Sequence, residues 1–238
     1  RVGPNAEVAS ADRHALARLH RLDLAAAVAV GAIDPIVEPP AQAVHAVLLV
    51  PFAEAFVERA PHVGPAVAVG IFGIENLRGA RDELDYWGLR TVPIPVDDEG
   101  IQVAPLADHD VDAVLLTPAH QFPTGVVLSP GRRRALLDWA RSGSLIVEDD
   151  YDAEFRYDRT PVPALQGSDP DHVLYIGTAS KILAPGLRIG WLIAPRSLRA
   201  ALVAAKHASD LGSPVLPQLA LAGLMDTGQL ERDLRLVK

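Results

Sequence analysis

From residue 66 onward the chain alternates short apolar β-rich runs with helical stretches, and this alternation constrains the fold more than any other property. Ala66–Ile74, Thr91–Val96, Val111–Leu116, Ser144–Val147, His172–Ile176 and Leu187–Ala194 read as strands. Pro93 and Pro95 lack ladder donors and push Thr91–Val96 towards an edge position. Leu77–Trp87, Gly131–Arg141, Arg196–Ser209 and Pro217–Val237 read as helices, the second opened by a Ser129 cap with Pro130 behind it and closed at Gly143. Strands and helices at this spacing predict an α/β fold, a mainly parallel sheet sandwiched by helices. Residues 1–65 carry no such pattern, because Pro35, Pro39, Pro40 and Pro51 break anything long. Within them Ala15–Ala32 reads as a helix or two and Val44–Val50 as a short buried strand. The division expected is therefore a divergent N-terminal part, 1–65, and a main domain, 66–238.

Ligands of open parallel sheets sit beyond the carboxyl ends of the strands. That rule selects three loops: Thr117–Gly125, Glu148–Glu154 and Gly177–Arg188. Composition then narrows the chemistry. With no cysteine there is no thiolate nucleophile, disulfide or cysteine-ligated metal. A net charge of −8 offers no basic footprint for nucleic acid. Apolar runs such as Leu24–Ala32 fall well short of the roughly 20 residues of a membrane span. No secretory signal pattern opens the sequence, so a cytoplasmic protein is expected.

Each loop has a plain reading beside a functional one. Glu148, Asp149, Asp150, Asp152 and Glu154 surround Tyr151, and such acids are usually solvated. Their place at the end of a buried strand argues that at least one points at a ligand. Gly177-Thr178-Ala179-Ser180-Lys181 has small residues, two hydroxyls and a lysine, suited to an anion held by backbone N–H and hydroxyl groups. It lacks the spacing of a nucleotide-binding P-loop. Most lysines are solvated, but only Lys181, Lys206 and Lys238 occur among 22 basic residues, and one in this setting can form a Schiff base. Arg188, seven residues on, supplies a planar cation for a phosphate. In Thr117–Gly125, His120 and Gln121 can hydrogen-bond a ligand, or the segment is a rigid turn. Asp108, His109, Asp110 and Asp112 have metal-like composition but precede a strand, at the wrong end of the sheet, so no metal site is assigned.

In their order and spacing the strings TPAHQFPTG, VEDDYDAEFRYDRTPVPALQ and YIGTASKILAPGLRIGWLIAP resemble the cofactor core of fold-type I, class I/II aminotransferases. More narrowly, they resemble the aminotransferase-like domain of MocR/GabR-type regulators. The resemblance is firm from about Val92 to Pro195 and extends to Lys238. It implies pyridoxal 5'-phosphate as cofactor, the major domain of that fold with the small domain absent or partial, an amino-acid or amine ligand, and a homodimer. It also implies roles by position. Lys181 matches the lysine that joins the cofactor, Asp149 the acid that pairs with the pyridine nitrogen, and Tyr151 the tyrosine near the ring's phenolic oxygen. These three would be catalytic. Thr178, Ser180 and Arg188 match the phosphate cup. Where ordinary aminotransferases have an asparagine before Pro-Thr-Gly this chain has Phe122, as the regulator-like branch does, so His120 or Gln121 would serve instead.

Two upstream departures stand out. The glycine-bearing phosphate turn of the family is replaced by Val50-Pro51-Phe52-Ala53-Glu54, and no tyrosine follows the strand matching Val67–Glu75. Neither the small domain beyond Lys238 nor a winged-helix segment is expected in the chain, so little net transamination is expected of it alone. Three functions fit: an aminotransferase-type enzyme, an effector-sensing domain of a transcriptional regulator without turnover, and a degenerate paralogue that binds no cofactor.

Overall fold

The buried apolar runs form the middle of one sheet. The computed structural model of the chain describes residues 27–30, 66–71, 84–86, 88–152, 162–181, 183 and 185–237. Among them lie β1 (Ala27–Val30), β2 (Ala66–Ile71), β3 (Arg90–Asp97), β4 (Gly100–Ile101), β5 (Ala113–Leu116), β6 (Leu145–Asp150), β7 (Val173–Thr178) and β8 (Gly190–Ile193). Their order across the sheet is β1-β8-β7-β6-β5-β2-β3-β4. The pairs β3–β2, β2–β5, β5–β6 and β6–β7 are parallel, while β8 runs antiparallel to both β7 and β1, as β4 does to β3.

All four residues of β5 and the first four of β6 are buried, because both faces of these strands are covered. One face carries α1 (Pro130–Arg141), whose Leu136, Leu137 and Ala140 join Val114, Leu116, Ile146, Val173 and Leu165 in a common core. Full burial of a side chain such as Leu136 contributes about 1.5–3 kcal/mol. The predicted cap holds: Ser129 Oγ accepts from the Arg132 N–H at 3.3 Å and Pro130 opens the helix. Three more helices follow β8: α2 (Arg196–Asp210), α3 (Val215–Asp226) and α4 (Gln229–Val237).

The structure corrects two expectations. Ala27–Val30 is a strand, not part of a helix, because its alternating Ala and Val supply a ladder partner for β8, with Ala27 opposite Ile193. The stretch expected as one helix, Pro217–Val237, breaks after Asp226. There Thr227 Oγ1 donates to the Gly223 carbonyl at 2.8 Å and Gly228 takes φ +64°, a left-handed turn that ends α3. The prolines of β3 are tolerated because the Pro95 carbonyl faces away from β2, accepting from Gln102 N–H at 2.8 Å. The missing donors thus fall on the side that β4 covers over only two residues. The expected Val44–Val50 strand lies outside the described residues, as does most of Leu77–Trp87, of which 84–86 are helical. Among the described residues no helix is long and apolar enough to cross a membrane.

Candidate functional site

The topology brings the carboxyl ends of β5, β6 and β7 to one edge of the sheet. Because β8 is antiparallel, its start lies at the same edge, with Gly190 opposite Thr178. Thr117–Gly125, Asp149–Asp152, Thr178–Lys181 and Arg188 therefore share that edge.

The strand β6 runs on through Asp150, past the expected end at Val147, so its acids alternate between faces. Glu148 points to the α1 side, where it is 2% exposed and accepts the backbone N–H groups of Leu165 at 2.9 Å and Gln166 at 3.0 Å. Asp150, on the same face, accepts the Tyr175 hydroxyl at 2.9 Å. Asp149, opposite Ile176 on β7, falls on the other face. Thus two of the three consecutive acids have structural duties on the helix-covered side, and Asp149 alone of them is turned away from it.

Burial outweighs the two backbone hydrogen bonds at Glu148 and pushes its carboxyl up to about 7. A carboxyl raised on folding binds its proton more tightly than the unfolded chain does. Stability therefore falls as pH rises between the ordinary value of 4.5 and about 7, by on the order of 3 kcal/mol. Urea unfolding on either side of that window should show the fall, and Glu148→Gln should abolish it. The variant should itself be destabilised by about 1–3 kcal/mol, because an amide offers one acceptor where two backbone donors need partners.

Tyr151 follows directly. Its hydroxyl donates to the His120 carbonyl at 3.4 Å, and its ring stacks on the His120 imidazole at 6.3 Å and 21°. Burial, then the charges of Asp152 and Asp149, push the phenol well above its ordinary range, so it stays a hydrogen-bond donor. His120 Nδ1 contacts the Asp152 carboxylate. Gln121 is 8% exposed and sits inside the turn, its Oε1 accepting from Thr124 Oγ1 at 2.5 Å and its carbonyl from Gly125 N–H at 2.7 Å.

The loop after β7 is built by the strand pair. Thr178 Oγ1 donates to the Ile189 carbonyl at 3.3 Å and accepts from Ser180 N–H at 3.1 Å, and Ala179 N–H donates to the same carbonyl at 2.9 Å. Thr178 and Ser180 are buried, and among the described residues Ser180 Oγ has no hydrogen-bond partner. Lys181 is exposed at the loop's end, and Arg188 sits at φ +51°, a left-handed conformation that costs a non-glycine residue. A buried, unsatisfied hydroxyl beside such a loop fits an anionic group such as a phosphate ester. Before it, Gly177 leaves room for the Trp191 ring, since a Cβ there would lie 2.3 Å from it.

The three predicted loops thus converge, but the sequence did not reveal their internal contacts. The His120–Asp152 contact spans 32 positions, and the Glu148 clamp on 165–166 spans 17. The only advance signal for the first was that His120 and Asp152 fall in two of the three loops selected at the strand ends. The upstream segments Val50–Glu54 and Ile74–Arg78 lie outside the described residues. Among the described residues no group of three or more His, Cys, Asp or Glu side chains is placed to hold a metal ion.

Comparison with known proteins converges on the same chemistry. A family model, aminotransferase class I and II, matches residues 98–236. The chain is 49% identical over 121 residues to the uncharacterized HTH-type transcriptional regulator YdeL of Bacillus subtilis, covering 50% of this chain and 26% of that protein. It is 40% identical over 148 residues to the HTH-type pyridoxine biosynthesis transcriptional regulator PdxR of Corynebacterium glutamicum, covering 61% and 32%. In structure it is similar to the kynurenine aminotransferase of Pyrococcus horikoshii, solved with PMP and kynurenine, at a TM-score of 0.73 and 29% identity, covering 81% of this chain and 49% of that one. The chain spans about a quarter to a third of the two regulators and about half of the solved enzyme.

Proposed function

The chain belongs to the class I and II aminotransferase family, and on that premise we propose that it binds pyridoxal 5'-phosphate through Lys181 and handles amino-acid or amine ligands. The observation that carries the reading is the β7–β8 loop, where the buried, unsatisfied Ser180 hydroxyl, Thr178 and the left-handed Arg188 adjoin one of the chain's three lysines. Among the described residues no carboxylate pairs with Arg188.

When bound, pyridoxal phosphate supplies an aldehyde for reversible carbon–nitrogen bond formation with amines and a ring that accepts electron density from their α-carbon. The residues present fit that group. Thr178, Ser180 and Arg188 would bind its phosphate. Lys181 would attach it through the ε-amine and afterwards carry a proton to and from the ligand's α-carbon. Asp149 would hold a proton on the pyridine nitrogen by its negative charge. Tyr151, kept protonated, would turn its single hydroxyl proton from the His120 carbonyl to the ring's phenolic oxygen, and His120 or Gln121 would contact the ring from the 117–125 turn.

Ser180 gives a test of fit with opposite signs. Ser180→Ala should raise the apo-protein's stability by about 1–3 kcal/mol, by removing a buried group that lacks a partner. The same change should weaken pyridoxal phosphate binding about tenfold, as expected for one lost hydrogen bond. Thermal melts with and without the cofactor read both.

The similarity to YdeL and PdxR supports a second reading, an effector-sensing domain that binds an amine without net turnover. Loading the protein with pyridoxal phosphate and following both visible absorbance and keto-acid formation across a panel of amino donors separates the two. Spectral change with multiple turnovers marks an enzyme, and spectral change alone marks a sensor. The same relatives support a cytoplasmic location, and the family resemblance supports a homodimer, which sedimentation of the chain tests.

A further inference from the structure

The strand-end loops hold a contact that the proposed cofactor roles do not require. His120 lies in the 117–125 turn and Asp152 lies two residues beyond β6, and His120 Nδ1 meets the Asp152 carboxylate. A carboxylate oxygen accepts hydrogen bonds, so the contact calls for the proton on Nδ1, and in that Nδ1–H tautomer Nε2 is left as an acceptor. Tyr151 fixes the ring from a second direction by stacking on it, and its hydroxyl ties the same residue by donating to the His120 carbonyl. The side chain of Asp152 is 19% exposed and that of His120 is 49%, so the carboxylate is the sheltered member and the imidazole faces outward. Nε2 lies on the Gly125 side of the turn: a Cβ at that position would stand 3.1 Å from it, closer than side chains ordinarily approach. Among the described residues Nε2 has no hydrogen-bond partner. Gln121, the alternative to His120 in the turn, already spends its side-chain carbonyl oxygen on Thr124.

From this geometry we propose that Asp152 is a positioning residue that holds His120 as the Nδ1–H tautomer, so that Nε2 offers an acceptor to the N–H group of an amine ligand at the strand-end edge. The inference rests on the reading that this edge binds pyridoxal phosphate and an amine, and it assigns His120 rather than Gln121 to the ligand. Asp152 acts through the imidazole and touches no ligand itself.

Two measurements on the full chain test it. The first needs no cofactor: ring-nitrogen shifts of ¹⁵N-histidine-labelled protein, recorded well above the histidine titration range, with His120 assigned by its loss in His120→Gln. Wild type should show His120 protonated at Nδ1. In Asp152→Asn the amide can donate to Nδ1 instead, so the ring should move towards the Nε2–H form. The second is the affinity of N-(5'-phosphopyridoxyl)-L-alanine, a stable probe that carries the amine, against that of pyridoxine 5'-phosphate, which lacks it. His120→Gln and Asp152→Asn should each weaken the amine-bearing probe about tenfold more than they weaken pyridoxine 5'-phosphate, the loss for one hydrogen bond to the amine. The double variant should lose little more than either single one, as residues acting as a unit do. An Nε2–H tautomer in wild type overturns the positioning role. A switched tautomer with unchanged probe affinity overturns the ligand contact. If wild type binds neither probe, the cofactor reading fails and takes the ligand contact with it, while the nitrogen shifts still decide whether Asp152 sets the tautomer.

Discussion

Asp149→Asn should leave the fold intact and slow exchange of the α-proton of a bound amino acid by about 10²- to 10³-fold, the usual loss when one preorganised electrostatic contact at a reacting centre is removed. The side chain of Asp149 falls on the face of β6 opposite Glu148 and Asp150, so the change disturbs neither the clamp on 165–166 nor the Tyr175 contact. An amide in its place carries no charge to hold a proton on the ring nitrogen. Asp150→Asn makes the contrast. It should weaken the hydrogen bond from Tyr175 and cost about 1 kcal/mol of stability, with exchange within a few-fold of wild type. Loss of an α-deuterium label from an amino acid, followed by NMR on the cofactor-loaded protein, reads both variants. Equal losses would mean that the acids act as an unspecific negative patch.

The second large effect is steric. Gly177→Ala should cost at least about 1–3 kcal/mol, because its Cβ would lie 2.3 Å from the Trp191 ring and the strand pairing fixes Gly177 opposite Trp191. Nor would the disturbance stay local. Thr178 follows immediately and is tied through the Ile189 carbonyl to the loop that ends in Lys181, so a shifted β7–β8 pair misplaces the anion-binding groups. Pyridoxal phosphate affinity should drop together with the melting temperature. Gly186→Ala provides the control, since among the described residues a Cβ there meets nothing within 4 Å, and it should change neither by much. Gly177→Ala combined with Trp191→Phe should recover part of the loss by giving the new methyl space.

How far the sequence revealed this arrangement depended on the distance over which each element is determined. The cap of α1 was legible because Ser129, Pro130 and Gly143 act within a few residues of where they stand. The strands β5, β6 and β7 were legible because strands buried on both faces become continuous apolar runs. Ala27–Val30 was misread because alanine favours helix intrinsically, and only pairing with β8, far along the chain, makes it a strand. The break between α3 and α4 was hidden because the residues on both sides of Thr227-Gly228 read as helical, and a glycine inside a helical pattern, as at Gly223, does not by itself end it.

At the site, the loops followed from the rule for parallel sheets, but their inner logic did not. Treating β6 as ending at Val147 left the acids in a loop, where nothing distinguished one from another. Extended to Asp150, the strand gives alternate acids opposite faces. Asp149, the acid that the family resemblance singles out, is the one of the three that falls on the face away from α1. His120 and Asp152 belong to different loops, and only the parallel pairing of β5 with β6 brings the ends of those loops together.

Covalent cofactor attachment at Lys181 is open to borohydride trapping. The protein is incubated with pyridoxal phosphate, reduced and digested, and the labelled peptide is identified by mass. Lys181 is exposed at the end of the β7 loop, whereas Lys206 is buried in α2, so the two lysines differ sharply in access as well as in surroundings. Attachment at Lys181 should give a visible absorbance discharged by borohydride, a single label on the peptide containing Lys181, and no label or colour in Lys181→Ala. A reducible chromophore that persists in Lys181→Ala, with the label on Lys206 or Lys238, would contradict it.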